Sequence, residues 1–211
     1  MAPDQLRRAL IESAQAMSRL GLAPGKSGNA SVRVEGGFLI SPSGLAYEEM
    51  REDDIVFVAL DGRAEGRRKP SSEWRMHHDL YARREDAGAV VHTHSPFATS
   101  LACLRRAIPA FHYMVAVAGG ADIRCADYAT FGTQELSDNA LGALDGRRAC
   151  LLANHGALAL GRDLEAALAL ALEVETLARQ YVQALQVGPP ALLSEGEMAR
   201  VLERFKDYGK P

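Results

Sequence analysis

The sequence predicts an α/β domain with antiparallel strand pairing. Three observations carry that expectation. Segments of helical and of strand periodicity alternate along the 211 residues. A hairpin is legible where Ala30–Val34 and Phe38–Ile40 flank Glu35-Gly36-Gly37. A hydrophobic fraction of 47% over this length suffices for one sizeable core without disulfide staples, so residues 1–211 are expected to form a single domain.

The elements follow in order. Leu6, Leu10, Ala14 and Met17 recur at helical spacing over residues 4–20, and Gly21 is a normal helix stop. After the hairpin, Ile55–Leu60 is strand-like and ends at Asp61-Gly62. Pro70 and Ser71 are expected to open a helix through Arg83, and Ser95-Pro96 another through Arg105, with serine capping and proline in the first turn. A strand is expected over Ile108–Tyr113, a helix over Thr133–Leu144 stopped by Gly146, and a strand over Ala149–Leu160. Asp163–Gln186 is a long helix, apolar on more than one face, so it is either central or meets another subunit. Gly188-Pro189-Pro190 ends it. Ser194-Glu195-Gly196-Glu197 is a capping box before a last helix, and Phe205–Pro211 forms a polar tail containing Tyr208.

Composition excludes several classes of partner. A net charge of −3 with interspersed acids and bases offers no basic stripe for nucleic acid and no sign of a membrane surface. Cys103, Cys125 and Cys150 are odd in number, widely spaced and without a Cys-x-x-Cys pattern, which fits a reducing cytoplasm. Residues 1–20 lack the apolar core of a secretory signal, and the long helix is interrupted by Glu165, Glu173 and Glu175, unlike a transmembrane span.

The most informative motif is Val91-His92-Thr93-His94. On a strand, residues two apart point to the same side, so both imidazoles converge while Thr93 faces away. Such a pair on an apolar strand is also compatible with simple hydrogen bonding. Glu73 upstream and His155 downstream complete a set of three imidazoles and one carboxylate, which suits a catalytic zinc with a position open to substrate.

Three small-residue segments have the chemistry to hold an anion: Gly25-Lys26-Ser27-Gly28-Asn29, Ser41-Pro42-Ser43-Gly44 and Pro70-Ser71-Ser72. Each alone is equally an ordinary turn or cap. Pro70-Ser71-Ser72 is the strongest, because free N–H groups at a helix start would point outward beside two hydroxyls. It also directly precedes Glu73, so a phosphate and a metal would sit side by side.

Gly28-Asn29-Ala-Ser-Val-Arg33, Pro70-Ser-Ser-Glu73-Trp74-Arg75, Val91-His92-Thr-His94, Ile108-Pro-Ala-Phe-His-Tyr113, Ala129-Thr-Phe131-Gly-Thr133, Asn154-His155-Gly156 and Phe205-Lys-Asp-Tyr208-Gly209 together resemble the class II aldolase/adducin superfamily, in particular its sugar-phosphate aldolases, over nearly the whole chain. The resemblance implies a three-layer αβα sandwich around a mostly antiparallel sheet, in a homotetramer with active sites at subunit interfaces. It implies His92, His94 and His155 as ligands of one zinc, or another divalent ion, per chain. Glu73 would be the acid/base residue and an additional metal ligand. Gly28, Asn29, Ser43, Gly44, Ser71 and Ser72 would hold the substrate phosphate. Tyr113 would exchange a proton with the aldehyde oxygen across a subunit boundary, and Phe131, Phe205 and Tyr208 would shape or close the aldehyde pocket. The implied reaction is cleavage of a ketose 1-phosphate, such as L-fuculose 1-phosphate, through a metal-stabilised enediolate to dihydroxyacetone phosphate and a short aldehyde such as lactaldehyde.

Asn154 departs from the histidine common in the fuculose-phosphate aldolase pattern, and Thr93, Ser95-Pro96-Phe97 and Lys26-Ser27 differ as well. The superfamily also contains an epimerase, dehydratases and decarboxylases of phosphorylated sugars. Glu73, where the epimerase has aspartate, favours the lyases, and the intact Glu73, His92, His94 and His155 argue against an adducin-like module without catalysis.

Overall fold

A computed structural model describes residues 3–206. The first helix, α1 (Pro3–Arg19), leads into the hairpin β1 (Asn29–Val34) and β2 (Gly37–Ile40). Then come β3 (Val56–Ala59), β4 (Ala64–Glu65), α2 (Trp74–Arg83), β5 (Ala89–Thr93) and α3 (Pro96–Cys103). The second half contributes β6 (Cys125–Ala126), α4 (Gln134–Ala143), β7 (Ala149–Leu152), β8 (Gly156–Gly161), α5 (Leu164–Val187) and α6 (Glu195–Phe205).

The strands form one eight-stranded sheet in the order β4-β3-β2-β1-β5-β8-β7-β6. All neighbours are antiparallel except β6 and β7. Strand alternation builds a core on each face. Ala30, Val32, Ala89 and Val91 point into the cluster shared with α1, α3 and α5, while Phe38, Ile40 and Val90 point toward α2 and α4. The result is the expected αβα sandwich. Helix α5 is central rather than peripheral: Ala167, Leu170, Ala171, Val174, Leu177 and Ala178 are buried against the sheet and α3. Most of its apolar character is therefore accounted for within the chain, with Leu172 and Val187 left exposed. Among the described residues no helix is long and apolar enough to cross a membrane.

Five expectations are corrected. Helix α2 begins at Trp74 and not at Pro70, because residues 69–71 are taken by an antiparallel bridge to the turn after β2. Ser43 N–H donates to Lys69 O and Ser71 N–H to Ser41 O, each at 3.1 Å. The expected strand at 108–113 is only a bridge between Ile108 and Ile123, followed by a 3-10 helix over Tyr113–Ala118. Pro109 has no N–H to continue a ladder, and the His112 ring accepts the Met114 N–H at 3.1 Å, which turns the chain. The expected strand 149–160 is two strands, β7 and β8, joined by a tight turn at Ala153-Asn154-His155 in which Asn154 adopts φ 54°. Helix α3 ends at Cys103, and Arg105 has φ 52°. Phe205 belongs to the end of α6, and Tyr208 lies outside the described residues.

Candidate metal centre

The sheet register places the site at one end of three central strands. Asn29 on β1 pairs with His92 on β5, which in turn pairs with Leu158 on β8. Thr93 is buried, and His94 follows just beyond the strand. His155 comes from the turn between β7 and β8, and Glu73 from the residue capping α2. The close approach of these segments requires two glycines. A Cβ at Gly28 would lie 2.7 Å from His92 O, and one at Gly156 would lie 2.2 Å from Thr93 O.

The candidate ligand atoms of Glu73, His92, His94 and His155 all lie within 4.8 Å of one another. The three imidazoles meet edge to face, with ring centroids 4.8, 4.8 and 4.9 Å apart. His92 Nδ1 faces Ala157 O at 3.0 Å, and since a carbonyl only accepts, Nδ1 carries the proton of the neutral ring and Nε2 is left with a lone pair. That Nε2 lies 2.9 Å from His94 Nε2 and 3.1 Å from Glu73 Oε2. Glu73 Oε1 approaches His155 Nε2 at 3.0 Å, yet it is buried without a directed hydrogen bond. Converging nitrogen lone pairs beside an unsatisfied buried carboxylate oxygen are a poor hydrogen-bond arrangement and a good cation site. The donor set fits a divalent transition metal.

The electrostatics agree. Burial opposes charge on Glu73, but the adjacent His92 and His155 outweigh it and hold the carboxyl well below its usual range. Burial, reinforced by His92 and His155, pushes His94 down to about 4, so this ring is neutral and can donate its lone pair near neutrality. His92, though penalised by burial, is raised by Glu73.

The three small-residue segments, distant in sequence, are drawn together beside this cluster. Lys26 Nζ donates to Gly44 O at 3.1 Å, and Ala30 N–H donates to Ser41 Oγ at 3.2 Å. Ser43, Gly44 and Ser72 are exposed, while Ser71 is buried with its Oγ accepting from Glu73 N–H at 3.3 Å. The Ser71 N–H is already used, so the free helix-start donors expected there are not available from that residue. Asn29 is buried, and its Nδ2 donates to Glu73 Oε2 at 3.0 Å. A cavity of about 340 Å³ opens over the cluster, lined besides by the polar Lys26, Ser27, Ser72 and Asn154 and by Tyr128, Ala129 and Phe131.

Tyr113 and Phe205 are not part of that cavity. Tyr113 is 51% exposed on the 3-10 helix, stacks on Phe205 at a centroid distance of 6.5 Å, and lines a separate groove with α6. Two residues near the centre escape sequence reasoning. Tyr128 gives no signal, but His77 stands four residues after Glu73, a spacing that puts both on one helix face.

Comparison with known proteins agrees with this architecture. Residues 8–182 match the Class II Aldolase and Adducin N-terminal domain family, and the chain belongs to that family. It is 60% identical over 204 residues to the 5-methylthioribulose-1-phosphate/5-deoxyribulose-1-phosphate aldolase of Rhodospirillum rubrum, covering 97% of this chain and 92% of the relative. It is 49% identical to the L-fuculose phosphate aldolase of Escherichia coli strain K12, covering 99% and 98%. A solved structure of an L-fuculose 1-phosphate aldolase superposes with a TM-score of 0.94 at 44% identity, covering 98% of both chains. The chain is a class II aldolase, a carbon–carbon lyase.

Proposed function

We propose that the chain cleaves a ketose 1-phosphate between C3 and C4, giving dihydroxyacetone phosphate and a short aldehyde. The observation that carries this reading is the convergence of Glu73, His92, His94 and His155 under a cavity with a hydroxyl- and cation-bearing wall. His92, His94 and His155 would hold one zinc per chain, with Glu73 able to join them. A bound zinc supplies a Lewis acid for the negative charge that develops on the carbonyl side as the bond breaks, worth several kcal/mol. Glu73 delivers a proton to C3 after the aldehyde departs, and Tyr113 of a neighbouring subunit in a homotetramer exchanges the proton on the aldehyde oxygen. The backbone and hydroxyl donors of Gly28, Asn29, Ser43, Gly44, Ser71 and Ser72 hold the phosphate and so fix the reacting carbons against the imidazoles.

The apolar part of the cavity lining supports a choice among substrates. Tyr128, Ala129 and Phe131 present aromatic and apolar surface where the aldehyde half would lie, which suits a deoxy or methylthio terminus better than a hydroxymethyl one. Phe131 shapes this pocket, and Phe205, which stacks on Tyr113, and Tyr208 would close over it from the neighbouring subunit together with that tyrosine. The relatives named for 5-methylthioribulose 1-phosphate, 5-deoxyribulose 1-phosphate and L-fuculose phosphate all act on sugars of that kind. A panel of these three compounds, with the fully hydroxylated ribulose 1-phosphate as contrast, tests the reading through release of dihydroxyacetone phosphate. A preference for the hydroxylated sugar, or epimer formation in place of cleavage, would contradict it.

A further inference from the structure

Behind Glu73 runs a buried line of polar side chains. Asn29 Nδ2 contacts Glu73 Oε2 at 3.0 Å, and Asn29 Oδ1 meets His77 Nε2 at 2.5 Å. His77 Nδ1 meets Ser31 Oγ at 2.6 Å, and Ser31 Oγ meets Tyr81 OH at 2.8 Å. Asn29, Ser31, His77 and Tyr81 are all buried, Ser31 and His77 completely.

Every donor in this line is forced from its end. A carboxylate only accepts, so Asn29 must present its amide N–H₂ to Glu73 and its carbonyl to His77. His77 Nε2 must then carry a proton. With burial keeping the ring neutral, its Nδ1 accepts, so Ser31 donates its single hydroxyl proton to His77. Tyr81 must donate to Ser31 in turn. The Tyr81 ring is itself fixed, packed at a tilt against Phe38 at a centroid distance of 5.0 Å and lying 4.9 Å from the Arg33 guanidinium.

We infer that Tyr81, Ser31, His77 and Asn29 form a one-way hydrogen-bond relay in which His77 is a positioning residue for Glu73. The inference rests on the role proposed for Glu73 and identifies what holds that carboxylate in place. The relay holds Oε2 from behind, against His92 Nε2 at 3.1 Å, and so turns Oε1 toward His155 Nε2 at 3.0 Å. Without His77 as donor, the Asn29 amide could flip, placing its carbonyl against Glu73 and driving the carboxylate off the cluster.

Nitrogen-15 NMR of histidine-labelled, metal-free protein at pH 7 reads the first link. His77 should be the neutral Nε2–H tautomer, and an Nδ1–H tautomer or a cation overturns the relay. Zinc competition with a chelator reads the second. His77→Leu should weaken zinc binding by about 10- to 100-fold, the range for supporting partners of metal ligands, while His77→Gln, which keeps a donor toward Asn29, recovers much of it. On 5-deoxyribulose 1-phosphate, His77→Leu should lower kcat with little change in KM. A folded His77→Leu protein with wild-type zinc affinity and kcat overturns the inference. Should His77→Leu fail to fold, Tyr81→Phe decides, since it keeps the ring and removes only the last donor: a severalfold loss of zinc affinity is expected, and wild-type affinity overturns the relay. Absence of cleavage of any sugar phosphate by the wild type would instead sink the proposed function, because the tautomer and zinc measurements do not depend on it.

Discussion

In the proposed mechanism Glu73 has two tasks that make opposite demands. As a carboxylate among imidazoles it is held in its charged form by His92 and His155, yet protonating a carbon requires it to carry a proton during turnover. An amide keeps the shape and loses the proton, so Glu73→Gln should stay folded and lose about 10²- to 10⁴-fold in kcat, measured by dihydroxyacetone phosphate release. A near wild-type rate would move the acid/base role elsewhere. The four cluster residues were legible in the sequence because His-x-His on a strand has one geometric consequence and because Glu73 and His155 sit in motifs with a family likeness. The partners behind them were not. Asn29 is legible in the sequence as a phosphate donor, but that its side chain also meets Glu73 and His77 emerges only from its pairing with His92 across two strands. A second residue-scale test concerns Gly156, where a Cβ would meet Thr93 O. Gly156→Ala should destabilise the fold by about 1–3 kcal/mol and displace His155, seen as a lower Tm and weaker zinc binding together.

At the scale of elements, the site is held by two anchors outside it. Glu175 on α5 is buried and accepts the Phe97 and Ala98 N–H groups at 2.9 and 2.8 Å, fastening the start of α3 directly after His94. Glu175→Gln, which replaces one acceptor by a donor facing an N–H, should cost about 1–3 kcal/mol in a denaturant titration. Asp54 plays the corresponding part for the segment leading to Ser71 and Glu73. It is 1% exposed and accepts from Arg67 and Arg68 at 2.5 Å and from the Arg51 N–H at 3.0 Å. Burial alone would raise its pKa, but the two guanidiniums dominate and hold it well below the ordinary 3.8. A depressed folded-state pKa means stability that is present above the unfolded value and lost as pH falls. The stability difference between wild type and Asp54→Asn should therefore be constant above about pH 5 and shrink on acidification below about pH 4. A difference that grows toward acid would refute the assignment. Both helices capped by Thr133 and Asp163 and the first hairpin follow the sequence signals, because local turn and capping chemistry decides them. The segments that departed, at 70–73, 108–113 and 153–155, are decided by pairing with distant residues, and two of them deliver Glu73 and His155.

At the scale of the whole molecule, the sandwich gathers Glu73, His92, His94 and His155 within each chain but leaves Tyr113 exposed in a groove of about 740 Å³. A shared site follows if another copy brings its Tyr113 to the Glu73 cavity. Tyr113→Phe and Glu73→Gln proteins, each inactive alone, should then recover activity when co-refolded into mixed oligomers, and no recovery in verified mixed oligomers would show that each chain completes its own site. Most of the apolar surface of α5 is buried against its own sheet and α3, with Leu172 and Val187 left exposed, so the apolar character of the helix is by itself a weak argument for assembly. The central claim, that Glu73, His92, His94 and His155 form a metal centre essential for aldol cleavage, is tested most directly by stripping the protein with a chelator and titrating zinc back while following dihydroxyacetone phosphate release from 5-deoxyribulose 1-phosphate. Activity should be absent in the stripped protein and rise to a plateau at about one zinc per chain, whereas undiminished cleavage by verified metal-free protein would contradict it.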